Sequence, residues 1–153
     1  MTQLNWSDMT AAASPVKPRA VIVDIDGTLA LHAHRSPYDE SRVITDEPHE
    51  LVISNVRALA AQGLQIVITS GRTDACRADT ETWLKQHLDV DYAALHMRAV
   101  GDSQHDGDLK EGFYREHIEP QYTVVLVLDD RDRVVDRWRT LGLLVYQVAF
   151  GDF

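Results

Sequence analysis

The apolar run AVIV at 20–23 ends in two carboxylates one residue apart, Asp24 and Asp26, followed at once by Gly27 and Thr28. Two later apolar runs close in a comparable way. Thr69-Ser70-Gly71-Arg72 ends QIVIT at 65–69, and Asp129-Asp130-Arg131 follows VVLVL at 124–128. If these runs are neighbouring strands, four aspartates, a hydroxyl and an arginine meet at one rim. Two carboxylates about 4 Å apart repel by roughly 4 kcal/mol at an effective dielectric near 20. Several such pairs would consume much of a domain's stability, roughly 5–15 kcal/mol in all. A proton or a cation must relieve the repulsion, and an oxygen-only set in an open site suits magnesium, which keeps waters and shares phosphate oxygens. One D-x-D alone reads equally well as a turn with helix-capping acids; three converging strand ends make a site.

The elements that must position these groups are legible as an alternation. The runs at 20–23, 65–69, 92–95, 124–128 and 143–148 read as strands buried on both faces. Between them lie helical patterns. EPHELVISNVRALAAQG repeats Val52, Val56, Leu59 and Ala60 at helical spacing, with Pro48 suited to a first turn and Gly63 to the end. Further helices are expected over 79–88, 109–118 and 131–142, the last stopped by Gly142. The expected fold is α/β: a doubly wound, mainly parallel five-stranded sheet with helices on both faces. Open sheets of this kind bind ligands beyond the carboxyl ends of their strands, where the polar bursts fall.

Bulk properties narrow the function. Fifteen Lys and Arg against twenty-four Asp and Glu give a net charge of −9. Such a chain is a poor general binder of nucleic acid, whose affinity rests on basic side chains at phosphates. A local basic pocket could still grip one terminal phosphate. Cys76 is the one cysteine, so no internal disulfide is expected, which fits a reducing compartment. The apolar runs are too short to cross a bilayer. Residues 1–18 lack the features of a signal peptide and read as a loose tail, leaving 19–153 as one domain. A soluble, cytoplasmic protein is expected.

The chain resembles the haloacid dehalogenase (HAD) superfamily of aspartate-nucleophile phosphatases through DIDGT at 24–28, SGR at 70–72 and the paired Asp129-Asp130. With RSPYDE at 35–40, the D-x-x-x-K of Asp106 to Lys110, LDDR at 128–131 and the closing QVAFGDF, the resemblance narrows. It becomes a likeness to the 3′-phosphatase domain of phage polynucleotide kinase-phosphatase, collinear from about Arg19 to Phe153. The resemblance implies Asp24 as nucleophile, forming an aspartyl-phosphate, and Asp26 as general acid and then base. Asp26 must then have its pKa raised, by a neighbouring carboxylate or by desolvation. It implies that Thr28 orients Asp26 and that Ser70, with Thr69 as the rival hydroxyl, hydrogen-bonds the phosphoryl group. Lys110 would offset charge on nucleophile and phosphate. Asp24, Asp130 and the backbone carbonyl of Asp26 would hold Mg2+, with Asp129 a direct or indirect ligand. Arg35 and Arg72 would grip phosphate, since the guanidinium fork fits phosphate oxygens, and Asp106 would orient Lys110 or an arginine.

Other polar residues invite blander readings. His32 and His34 form an H-x-H without a third soft ligand, which argues against zinc. Trp83 and Trp138 sit at helical spacing and read as core. Tyr38 is loop packing or a surface for a terminal base. About forty residues separate Thr28 from Ser70, too few for a helix and a large cap together. An uncovered site favours a bulky substrate entering by one end. No G-x-x-x-x-G-K-[ST] occurs, so the phosphate-cradling loop of a kinase is missing, and any kinase or ligase partner would be separate. The expected function is Mg2+-dependent removal of 3′-phosphates from RNA or DNA ends, extending to 2′,3′-cyclic phosphates. Two rivals are a phosphatase of small esters such as nucleotides, and a catalytically idle binder of phosphorylated ends.

Overall fold

A computed structural model describes residues 16–32 and 34–151. Most of the predicted tail, at 1–15, lies outside these residues, as do Asp152 and Phe153 of the closing motif.

Five parallel strands form the central sheet. In chain order they are β1 (Arg19–Asp24), β4 (Gln65–Thr73), β5 (Ala94–Arg98), β6 (Thr123–Arg131) and β7 (Val145–Gly151), and their spatial order is β5-β4-β1-β6-β7. The intervening labels belong to a two-stranded antiparallel ribbon, β2 (Ala30–Leu31) with β3 (Glu47–Pro48). The four main helices are α1 (Glu50–Ala61), α2 (Arg77–His87), α3 (Asp106–Phe113) and α4 (Asp132–Thr140).

Alternation along β1 explains why the sheet is covered on both sides. Val21 and Val23, with Ile66 and Ile68 of β4, pack against Ile53 and Val56 of α1 and Trp83 and Leu84 of α2. Ala20 and Ile22, with Val67 and Val127, face Tyr114, Val134 and Trp138 on the opposite side. Successive strand side chains point to opposite faces, so a run of apolar residues without polar alternation needs two cores. Trp83 and Trp138 are fully buried, one in each core, as their spacing predicts.

The five-stranded doubly wound fold is the one expected, with adjustments at element ends. Pro48 is not in the first turn of α1 but pairs with Ala30 in the ribbon, because the backbone N–H of the next residue, His49, is tied to the Leu29 carbonyl at 2.8 Å. The helix starts only after that anchor. The third helix begins at Asp106 rather than 109 and relaxes into a wide π-helical turn over Tyr114–Ile118. Strands β4 and β6 continue through their polar ends, so Ser70, Arg72, Asp129 and Asp130 are held by sheet backbone, not by loops. Between Ser70 and Thr73, and again between Asp129 and Arg131, the register to the neighbouring strand shifts. Among the described residues no large cap covers the rim: 77–98 holds only α2 and β5, and 34–46 forms a short flap. Among the described residues no helix is long and apolar enough to cross a membrane.

Candidate active site

β1 is the central strand, with β4 on one side and β6 on the other, and Asp24 lies opposite Thr69 in register. Three strand ends therefore converge, and Asp24, Asp26, Arg72, Asp129, Asp130 and Lys110 line one pocket of about 370 Å³.

Its floor is an acidic triad. Asp24, Asp129 and Asp130 are all buried, and each offers an oxygen within 4.8 Å of the others. One cation compensates: Lys110 Nζ, on α3, lies 2.5 Å from Asp24 Oδ1 and 2.8 Å from Asp129 Oδ2. Burial raises the Asp24 pKa, and Asp129 and Asp130 push it further against the opposing pull of Lys110. Burial and Asp129 likewise raise Asp130. Burial works against the Lys110 ammonium, but Asp129 and Asp24 outweigh it and hold the lysine charged. Three acids and one lysine leave a negative surplus, the condition under which a buried carboxylate cluster recruits a hard cation. Asp129 has both oxygens engaged, by Lys110, by the Trp138 indole N–H at 3.1 Å and by the Asp130 backbone N–H at 3.0 Å. That leaves Asp24 and Asp130 as the side chains better placed to take a metal.

The pocket's second part is a basic clamp. Arg72 donates to Asp26 through Nε at 2.8 Å and Nη2 at 2.7 Å, and Arg35 Nη2 reaches Asp26 at 3.1 Å. Behind them Asp46, buried, accepts Arg35 Nε at 2.6 Å and Nη2 at 2.7 Å, and Arg72 Nη2 at 2.7 Å. Arg35 Nη1 also meets the carbonyls of Ser36, Pro37 and Asp39, shaping its own flap. Glu40 fastens that flap to β4 by accepting the Thr73 backbone N–H at 2.7 Å together with the Thr73 hydroxyl.

Several expectations need correction. The pKa of Asp26 is lowered, not raised: burial would raise it, but hydrogen bonds from His32 and Arg72 prevail. Its carboxylate lies outside the acidic triad and instead meets His32 Nε2 at 2.7 Å. Thr28 is fully buried and donates to Asp130 at 3.3 Å rather than to Asp26, because the turn at Gly27 carries it under β6. Asp106 pairs with Arg98 and Arg131 and not with Lys110, so of its two expected roles it takes the arginine one. Ser70 is buried and its Oγ accepts the Arg72 backbone N–H at 3.2 Å, while the Thr69 hydroxyl is buried without a partner among the described residues.

Neither Asp46 nor Arg98 is marked by a motif, while Glu40 enters only within RSPYDE and His32 only within the H-x-H. Asp46 lies in TDEPHE, which reads as an acidic helix start, and nothing in its spacing points back to Arg35 or Arg72. His34 pairs with Glu47 at 3.2 Å at the surface, away from His32. Cys76 is buried against Thr73 and Thr80, with burial raising its thiol pKa.

Known proteins match this chain in sequence and in fold. A family model described as the polynucleotide kinase PNKP phosphatase domain matches residues 18–153. A candidate bifunctional polynucleotide kinase/RNA ligase of Autographa californica nuclear polyhedrosis virus is 40% identical over 128 residues, covering 82% of this chain and 18% of the viral protein. A chain of a Pnkp1/Rnl/Hen1 complex superposes with a TM-score of 0.86 at 37% identity, over 99% of this chain and 53% of that one. In a Pnkp1/Rnl/Hen1 RNA repair complex the values are 0.85 and 39%, over 90% and 44%. The chain thus spans about half, or less, of the length of these relatives. A class C acid phosphatase from Bacillus anthracis shares the fold at a TM-score of 0.63 and 16% identity, over 89% of this chain and 69% of that one.

Proposed function

The chain belongs to the polynucleotide kinase PNKP phosphatase-domain family, and on that premise we propose that it removes the 3′-phosphate from RNA or DNA ends through an aspartyl-phosphate. The observation that carries this reading is the pair of guanidinium forks of Arg35 and Arg72, held from behind by buried Asp46 and converging on Asp26, which lines the same pocket as Asp24. In the free protein the Asp26 carboxylate occupies those forks as an anion would.

A phosphate monoester carries close to two negative charges. Entering the clamp, it takes over hydrogen bonds that Arg35 and Arg72 otherwise give to Asp26. Asp26 then loses donors that hold its pKa down and gains a like-charged neighbour, both of which favour its protonated form. That change supplies the acid that the free protein lacks. The Asp24 carboxylate attacks phosphorus, the P–O3′ bond breaks, and the departing alkoxide takes the Asp26 proton. In the second step Asp26 takes a proton from water, whose oxygen displaces Asp24 and releases inorganic phosphate. Lys110 holds Asp24 in place and offsets charge at its oxygen.

The donor set fits Mg2+: oxygen atoms alone, a negative surplus, and raised pKa values on Asp24 and Asp130. Asp24, Asp130 and the Asp26 backbone carbonyl would hold the ion, which supplies charge neutralisation of the phosphoryl oxygens. The repair complexes among the relatives support RNA ends as substrate and a kinase or ligase as partner.

The test incubates the protein and Mg2+ with matched oligonucleotides bearing 3′- or 5′-phosphate, beside a panel of nucleoside monophosphates. Phosphate release favouring the 3′-oligonucleotide is expected. Preference for the mononucleotides would replace this reading with a small-ester phosphatase, and no release from any substrate would favour an idle end-binder.

A further inference from the structure

The catalytic pocket does not end at its mouth. Tyr38, Gln104, Asp106 and Arg131 line it and also line a second depression of about 580 Å³, which continues outward along Arg133 and Arg137 of α4. The two form one groove leading away from Asp24. Its wall is preformed, because Arg98 Nη1 donates to the carbonyls of Asp102 at 3.3 Å and Gln104 at 2.8 Å.

Charge along this groove differs from the net −9 of the chain. Its acids are already matched: Asp106 by Arg98 and Arg131, Asp108 by Arg137 at 2.7 Å, and Asp136 by Arg139 at 3.7 Å. Arg133 is exposed and has no ion-pair partner among the described residues. At the junction of the two depressions stands Tyr38, 87% exposed. An open aromatic ring and an unmatched guanidinium lining one depression offer a base a stacking face and a phosphodiester a charge.

We propose that this groove is the track for the nucleotides upstream of the reacting end. The terminal base stacks on Tyr38, and the upstream backbone runs past Gln104 to Arg133. The ligand is a single-stranded polynucleotide, since a base must be unpaired to lie flat on an open ring. This rests on the 3′-phosphatase reading and adds a preference for length that a lone phosphate pocket would not have.

The experiment compares kcat/KM over a series: a nucleoside 3′-monophosphate, then single-stranded di-, penta- and decanucleotides with 3′-phosphate, each at several salt concentrations. In the wild type kcat/KM rises with length. Arg133→Glu lowers the decanucleotide-to-mononucleotide ratio about tenfold, Arg133→Ala less so, and Arg133→Ala flattens the salt slope by about one. Tyr38→Ala lowers kcat/KM across the whole series and Tyr38→Trp restores it. Thermal melts confirm that each variant is folded. If the wild type cleaves 3′-phosphates with no dependence on length, or Arg133→Glu affects mononucleotide and decanucleotide equally, the track is wrong and the catalytic reading stands. If only small esters other than 3′-phosphates are cleaved, both fall.

Discussion

Lys110 Nζ lies 2.5 Å from Asp24 Oδ1 and 2.8 Å from Asp129 Oδ2, so one buried cation serves two strands. Removing one partner of a buried pair is strongly destabilising because it leaves the other charge uncompensated. Lys110→Met is expected to cost about 3–5 kcal/mol in metal-free buffer. Urea denaturation with and without Mg2+ checks this. Added Mg2+ should recover part of the loss, and equal losses under both conditions would argue against a cation site among these acids.

Asp24→Asn separates catalysis from stability. Burial and two neighbouring carboxylates disfavour the Asp24 anion, while Lys110 would still keep Asp129 as its partner. The variant is expected to melt no lower than the wild type and to lose turnover by at least about a thousandfold. Retained turnover would refute Asp24 as nucleophile.

Much of this site was legible because β1, β4 and β6 are continuous apolar strands that stop at polar residues, and parallel topology then dictates that their ends meet. The motif order brought in Lys110 and Arg72, and both reach the pocket. What the sequence hid is longer in range. Asp46 contacts Arg35 and Arg72 across 11 and 26 positions, with no periodicity to reveal it. The low pKa of Asp26 was missed for the same reason: its partners, His32 and two arginines, arrive from a flap and a neighbouring strand. The ribbon of β2 and β3 pairs only two residues on each strand, too short for any alternating pattern to register.

Asp46 therefore yields a prediction of its own. Asp46→Ala removes one of the two carboxylates that accept from both buried guanidinium groups, leaving only Asp26, at an expected cost of about 3 kcal/mol. In the folded fraction KM should rise, because the forks lose the support that aims them at phosphate. Active-site titration alongside steady-state kinetics separates the two effects, and an unchanged KM would reduce Asp46 to a purely structural role.

On the outer strand β5, opposite Thr69 in register, His96 stacks on Phe113 at 5.5 Å and on His117 at 5.3 Å. Burial lowers its pKa, and the neighbouring His117 and Arg77 act in the same direction. A folded-state pKa below the unfolded value near 6.5 means that His96 binds protons more readily unfolded. Its contribution is thus complete above about pH 6.5 and is lost as pH falls through that value towards the folded pKa. Denaturation at pH 7.5 and 5.5 should show His96→Phe losing less stability than the wild type, and identical losses would remove His96 from the acid sensitivity of the fold.

Gly27 and Gly63 provide a matched pair for the turn that carries the nucleophile. Both adopt positive φ, +87° and +84°. A Cβ at either position incurs left-handed strain of roughly 1–2 kcal/mol. A Cβ at Gly63 would meet nothing within 4 Å, whereas at Gly27 it would overlap the Asp130 carboxylate. The two alanine variants should therefore lose similar backbone stability but differ in chemistry. Gly63→Ala keeps its turnover and its stabilisation by Mg2+, which for any ligand of the native state is about 2.7 kcal/mol at a hundredfold excess over Kd. Gly27→Ala pushes Asp130 away from Asp24 and should lose both. Thermal melts with and without Mg2+ measure the difference, and a full Mg2+ response in Gly27→Ala would mean that Asp130 does not hold the ion.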